Sequence, residues 1–288
     1  MESTTTVIGN FTNFNRTEIF TMKKTTAILF MIGALAFNAI ADDANLLKNG
    51  NFARGKNNWV TAGTVTEEGN AGVLTLTGSI NRAISRQVIE IAPNADYKIS
   101  AKVSADKKLN QVLLGIVPVS KQGYDIFYRN SNGAVKNTLT ELSEAYQKGS
   151  DTVILKDNPA WKVGWLAFNA KEDMSDLPNY TMVAFKKFER KDGKIIITLP
   201  KAYNRSYPAG TKVRLHVDGA TYPYTSILRK GFPGAVDASG IIGKNTKIKF
   251  PVGTVGFKAL LLVLPVKAAA DVKVQFRDIK IEQLTADK

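Results

Sequence analysis

Apolar residues recur at every second position over much of this chain, and that period restricts the folds open to it more than any other feature. Val73–Thr77 and Tyr97–Val103 alternate apolar with polar residues. Near the end, Val272, Val274 and Phe276 keep the same beat, which resumes at Ile279 and Ile281 after Arg277-Asp278. Period two sends successive side chains to opposite faces of a strand, so these segments predict half-buried β-strands. Turn formers separate them at Glu67–Asn70, Gly78 and Pro93–Asp96. Short strands joined by short turns predict an all-β sandwich or barrel. The lost phase between Phe276 and Ile279 predicts a β-bulge. Val112–Val119 is apolar almost without interruption, which suits a strand covered on both faces. Only Asn137–Gln147 has helical spacing, through Leu139, Leu142 and Tyr146, and it predicts a short helix.

The 288 residues suffice for one large or two modest domains. No cysteine is present, which excludes disulfides, thiolate metal sites and cysteine nucleophiles. The net charge of +14 favours acidic partners: anionic polysaccharide, an anionic membrane surface or nucleic acid. The basic residues are scattered, and only short pairs such as Lys107-Lys108 and Lys186-Lys187 occur, so no nucleic-acid patch is legible and no nucleic-acid partner is expected.

Met22-Lys23-Lys24, the apolar run Ala27–Phe37 and the small residues Ala39 and Ala41 read as a secretion signal, with cleavage after Ala41. The apolar run is shorter than the ~20 residues a spanning helix needs, so no permanent membrane span is expected. Residues 1–21 precede a second start at Met22 and read as an extended gene start. Removing residues 1–41 takes away three basic and two acidic residues and leaves +13. The expected destination is the periplasm, the cell surface or the medium.

A block between Lys148 and Asp218 has its own series of strands. Asp151–Asp157, Val163–Phe168 and Met182–Phe188 are followed by a hairpin around Asp192-Gly193, then by Tyr207-Pro208-Ala209-Gly210-Thr211 and Val213–Val217. The expected organisation is therefore a first sandwich segment at 45–147, an inserted β-subdomain at 148–218, and the remainder of the sandwich at 219–286. The order of elements in the block resembles small β-barrel modules of phage-tail and polysaccharide-degrading proteins.

Three stretches carry a second resemblance: NLLKNGNF from Asn45 with Trp59 behind it, the Pro93–Val103 strand with Tyr97, and the closing VQFRDIKIE. Together they resemble jelly-roll carbohydrate-binding modules of the xylan- and cellulose-binding, galactose-binding-like type. The resemblance covers about 45–120 and 225–284. It implies a jelly-roll β-sandwich whose first turn is made by Asn-Gly-x-Phe and whose last strand returns beside it. Gly50 frees that turn, while Phe52 and Trp59 anchor it to the core. Family members carry acids after the Phe and in the last strand, associated with a structural calcium. Here Ala53 and Arg277 take two of those places and leave Asp278 alone, so neither this calcium nor any other cofactor is expected.

The catalytic inventory is thin. His216, the one histidine, lies inside an alternating strand and reads as a positioned strand side chain. No nucleophile-elbow, zinc-protease, phosphate-loop or dinucleotide motif occurs, and Gly243-Lys244-Asn245 reads as a turn. Glu172, Asp173 and Asp176 form an acidic group before Leu177-Pro178-Asn179 that reads as a solvated connection. Sugar recognition needs flat aromatic faces beside fixed polar groups. Tyr124, Tyr128, Tyr222 and Tyr224 are the expected stacking residues, with Arg129 and Arg229 as contacts for an acidic sugar and Lys230 beside them. Trp161 and Trp165 are further candidates, with Trp165 expected in the core. The expected function is a secreted, non-catalytic carbohydrate-binding protein for acidic polysaccharide. A cell-surface structural or adhesion protein and a polysaccharide lyase or glycoside hydrolase are the alternatives.

Overall fold

The computed structural model describes residues 45–77, 82–106, 111–229, 235–264 and 272–284. The secretion signal and its cleavage position lie outside these described residues. Before the inserted block come β1 (Trp59–Val60), β2 (Thr64–Glu68), β3 (Ala71–Thr77), β4 (Arg82–Ser85), β5 (Ile89–Glu90), β6 (Asp96–Ala105) and β7 (Gln111–Ser120). β8 (Thr140–Glu141) comes just ahead of the block, which contributes β9 (Thr152–Lys156), β10 (Gly164–Phe168), β11 (Met182–Phe185), β12 (Lys187–Lys191), β13 (Lys194–Thr198) and β14 (Lys212–His216). After it follow β15 (Tyr224–Arg229), β16 (Val236–Gly243), β17 (Thr254–Leu264) and β18 (Lys273–Leu284). The helical content of the described residues is one 3-10 turn, Tyr128–Asn130, and no helix among them is long and apolar enough to cross a membrane.

Two antiparallel sheets form an all-β sandwich. One has the order β1-β4-β17-β7-β15, with β5 also paired to β17; the other has the order β16-β6-β18-β3-β2. Alternate residues supply the shared core. Val112, Leu114 and Ile116 come from β7, and Phe257, Ala259, Leu261 and Val263 from β17. Tyr97, Ile99 and Val103 meet them from β6, with Val274 and Phe276 from β18. Each large side chain here contributes about 1.5–3 kcal/mol by leaving water. The other face of β7 is buried as well, because the chain after it folds back: Ile126 N–H donates to Pro118 O at 2.8 Å. Ile116 N–H donates to Pro223 O at 3.1 Å from the returning segment.

The bulge falls where the phase break places it. The register of β18 on β6 shifts between Arg277 and Lys280, and Asp278 sits at φ 50°. Into this irregularity docks the Asn45–Phe52 stretch. Ile279 N–H donates to Gly50 O at 3.0 Å, and the Asn45 amide bridges Ile279 O and Ile281 N–H at 3.0 Å each. A Cβ on Gly50 would lie 2.1 Å from Ile279 O, so the turn needs glycine for close approach. Phe52 and Trp59 then meet at 5.3 Å inside the core.

The inserted block builds two small sheets, β11-β10-β14-β8 and β12-β13-β9, around a second apolar core. Asp192 and Gly193 have φ of 50° and 69° and join β12 to β13 as the two-residue hairpin their sequence predicts. Phe168 stacks on Tyr207 at 4.0 Å and on Tyr203 at 5.6 Å. One sequence expectation needs correction. Residues 137–147 are not helical: Leu142 N–H donates to Thr211 O at 3.0 Å and Tyr146 N–H to Tyr207 O at 2.8 Å. Leu142 and Tyr146 are buried in an extended chain, so tertiary pairing overrides their helical spacing. The second core thus includes Leu142 and Tyr146, which precede Lys148 in the chain.

Candidate functional site

The inserted block is tied to the sandwich by a short polar seam. After β7, Gly123 N–H bonds back to Ser120 O at 2.8 Å, and Ser120 N–H to Tyr124 O at 2.9 Å, which turns the chain over the sheet. The buried Asn130 ends the following 3-10 turn. Its side-chain amide donates to Asn179 O at 2.8 Å, while Asn179 N–H donates to Asn130 O at 2.8 Å. The buried Asn179 amide in turn donates to Phe168 O at 2.9 Å and to Asp176 Oδ2 at 3.0 Å. These paired asparagines bring two loops, 49 residues apart in sequence, side by side. Satisfied polar groups of this kind fix a single arrangement.

The seam opens into a cleft of about 640 Å³. Tyr124 and Tyr180 form one wall, edge to face at 5.5 Å, and both are exposed, at 56% and 37%. The Tyr180 hydroxyl lies 3.5 Å from Tyr124 O, and partial burial pushes its pKa upward. Arg129 lines the same cleft, and its guanidinium lies 4.4 Å from the centroid of the Trp165 ring and 5.0 Å from that of Phe127. Trp165 Nε1–H donates to Asp218 Oδ2 at 2.9 Å, and Asp218 Oδ1 is 3.7 Å from Arg129. Lys258, from β17, donates to Asp125 Oδ1 at 2.8 Å at the sandwich side of the cleft. Aromatic faces, two cations and the Asp125 carboxylate thus line one opening, with Asp218 behind Trp165 and Arg129.

Arg129 is held from below by a buried polar chain. Arg214 and Asp176 pair at 2.7 Å with side-chain exposures of only 1% and 6%. Burial pushes the Asp176 carboxyl upward, but the Asn179 amide, Lys171 N–H and the Arg214 guanidinium outweigh it and keep the group below its usual range. Arg214 Nε–H donates to His216 Nε2 at 3.2 Å, which makes that nitrogen the acceptor. His216 Nδ1–H then donates to Arg129 O at 2.6 Å. Burial and the adjacent Arg214 push the imidazole pKa down, so it is neutral and acts as a positioned side chain.

No family model matches the chain, and no curated protein is significantly similar to it. The residues themselves therefore carry the functional argument. Of the expected stacking residues, Tyr124 lines the cleft with Arg129. The Tyr128 ring instead packs on Gly219. Tyr222 lies 5.5 Å from Phe127, and burial reinforced by the Asp125 charge pushes its hydroxyl up to about 12. Tyr224 covers Gly115 on the sheet, and burial raises its pKa. These three rings do not line the cleft. Arg229 pairs through its backbone with Gln111, while its side chain and Lys230 lie outside the described residues.

The tryptophans exchange their expected places. Trp161 is buried, donates to Thr138 O at 2.7 Å and stacks on Phe185, whereas Trp165 faces the cleft. Tyr180 and Lys258 escaped sequence reasoning. Among the acids, Asp176 is buried rather than solvated and Asp173 accepts from Ser175 N–H at 2.9 Å. In the last strand, Arg277 grips Glu68 at 3.0 and 3.2 Å, and Asp278 lies 3.3 Å from Lys102. Among the described residues no three acids or histidines converge as a metal site.

Proposed function

We propose that the protein is an exported, non-catalytic carbohydrate-binding protein that takes acidic polysaccharide in the cleft between the sandwich and its insert. The observation that carries this reading is the exposed Tyr124–Tyr180 pair lining one cleft with the Trp165-stacked Arg129. Tyrosine rings offer apolar faces to the C–H side of a pyranose, and a stacked guanidinium presents a planar fork to a carboxylate. Arg129 is suited to that task because its stack on Trp165 already fixes its orientation, so little rotamer freedom is lost on binding. Lys258 and Asp125 supply polar partners for hydroxyl groups. Asp125 and Asp218 are each engaged by a cation, which leaves neither placed as a free acid for hydrolysis. The basic net charge would raise the local concentration of a polyanion.

The test is a glycan array followed by calorimetry on the full chain, comparing neutral, uronate and sulfated glycans at low and high salt. Tyr124→Ala should weaken binding by about tenfold, the scale of one lost ring contact and its buried area, without changing the unfolding midpoint. Binding to a uronate glycan that is indifferent to this substitution would remove the cleft assignment. Absence of binding to every glycan would favour the structural or adhesion reading.

A further inference from the structure

The opening stretch Asn45–Trp59 does more than start the sandwich. Beside its turn lies a second hollow, of about 630 Å³, lined by Lys48, Arg54 and Arg86 together with asparagine amides, and by no acidic residue. The three cations are exposed and form no ion pair among the described residues. This differs from the aromatic cleft, where Arg129 and Lys258 each face an aspartate.

Its scaffold is rigid. The Asn49 amide accepts from Arg54 N–H at 3.0 Å and donates to Gly55 O at 3.1 Å and to Asn57 O at 2.6 Å. Asn58 accepts from Gln87 N–H at 3.0 Å and donates to Lys48 O at 2.8 Å, and Arg86 N–H donates to Asn58 O at 2.7 Å. Two asparagines therefore pin the backbone of all three cationic residues to one another. Like charges held together in this way repel, and a bound anion relieves the repulsion.

We infer that this hollow is an oxyanion subsite, and that it takes a sulfate half-ester of a sulfated polysaccharide. A carboxylate offers two oxygens, whereas a sulfate ester offers three terminal oxygens in a pyramid, one for each of the cations that reach the hollow from positions 48, 54 and 86. Arginine forks bind such groups by paired charge-assisted hydrogen bonds. The Asn57 side chain, which has no hydrogen bond among the described residues, supplies a further donor. The inference rests on the carbohydrate reading only for the polymer that carries the sulfate; the oxyanion site stands on its own residues.

The test is an amide NMR titration of the full chain with inorganic sulfate against chloride at equal ionic strength, then with a sulfated oligosaccharide, its phosphorylated analogue and its unsubstituted parent. Sulfate is expected to shift the amides of residues 48–58 and 86, and the sulfated oligosaccharide to bind more tightly than its parent. The double variant Arg54→Gln/Arg86→Gln, both exposed and so compatible with folding, should weaken sulfated-ligand binding about tenfold or more. Tyr124→Ala should leave the inorganic-sulfate shifts intact, which separates failure of the aromatic cleft from failure of this subsite. Sulfate shifts no larger than chloride shifts, or an unchanged affinity in the double variant, would overturn the inference. A preference for the phosphorylated analogue would overturn the sulfate assignment.

Discussion

Asp176→Ala offers the sharpest test of how the insert positions the cleft. The substitution leaves Arg214, 1% exposed, without its carboxylate partner. Removing one member of a buried pair costs about 3–5 kcal/mol, because the remaining charge stays desolvated. The Lys171 N–H bond to Asp176 Oδ1 at 3.0 Å and the Asn179 bond to Oδ2 are lost with it, which places the cost toward the upper part of that range. For a chain of this size about 2–4 °C of melting temperature accompanies each kcal/mol, so the midpoint should fall by roughly 6–20 °C. The damage should also reach the ligand site. Arg214 orients His216, and His216 holds the Arg129 carbonyl, so glycan affinity should fall although Asp176 does not line the cleft. Urea denaturation and calorimetric titration of the same variant read the two effects separately. The double variant Asp176→Leu/Arg214→Met removes both charges and should recover most of the stability but not the affinity. A loss below about 1 kcal/mol in Asp176→Ala, against the 3–5 expected for a desolvated pair, would refute the claim that this pair organises the seam.

Two further predictions follow from the same geometry. Because His216 is held neutral, its folded pKa lies below the unfolded value near 6.5, so the unfolded chain binds a proton that the folded chain does not. Stability should therefore be complete above about pH 6.5 and decline as pH falls below it until the folded pKa is passed. Since the chain has a single histidine, one imidazole NMR signal reports that pKa directly, and a value at or above 6.5 would contradict the reading. Gly50→Ala should destabilise by about 1–3 kcal/mol, since the new Cβ meets Ile279 O at 2.1 Å and the bulged backbone must give way. An unchanged urea midpoint would show that the opening turn is not locked to β18.

The sandwich was legible because strand parity is a local property: the phase that puts Val274 and Phe276 in the core is written in adjacent residues, and so is the slip that makes the bulge. The Asp192-Gly193 hairpin was legible for the same reason. Parity also held unused information about Trp165. Leu166 and Phe168 face the second core, so the residue between Gly164 and Leu166 points the other way, into the cleft. What sequence alone did not show was distance. Tyr180 meets Tyr124 because Asn130 and Asn179 clasp each other across 49 residues, and neither asparagine looks unusual in its own loop. Tyr222 and Tyr224 lie outside this cleft for the complementary reason: their segment folds back onto β7, against Phe127 and Gly115. Residues 137–147 show the same competition, where Leu142 and Tyr146 keep an apolar spacing that suits a helix while their backbone groups find partners in the 207–211 segment. Both candidate sites therefore depend on asparagine side chains that hold backbone from separate loops, Asn130 and Asn179 at the aromatic cleft and Asn49 and Asn58 at the basic hollow. Substituting an asparagine of one pair should disturb ligand binding at its own site and spare the other, because each pair's bonds stay within the segments that line its own site.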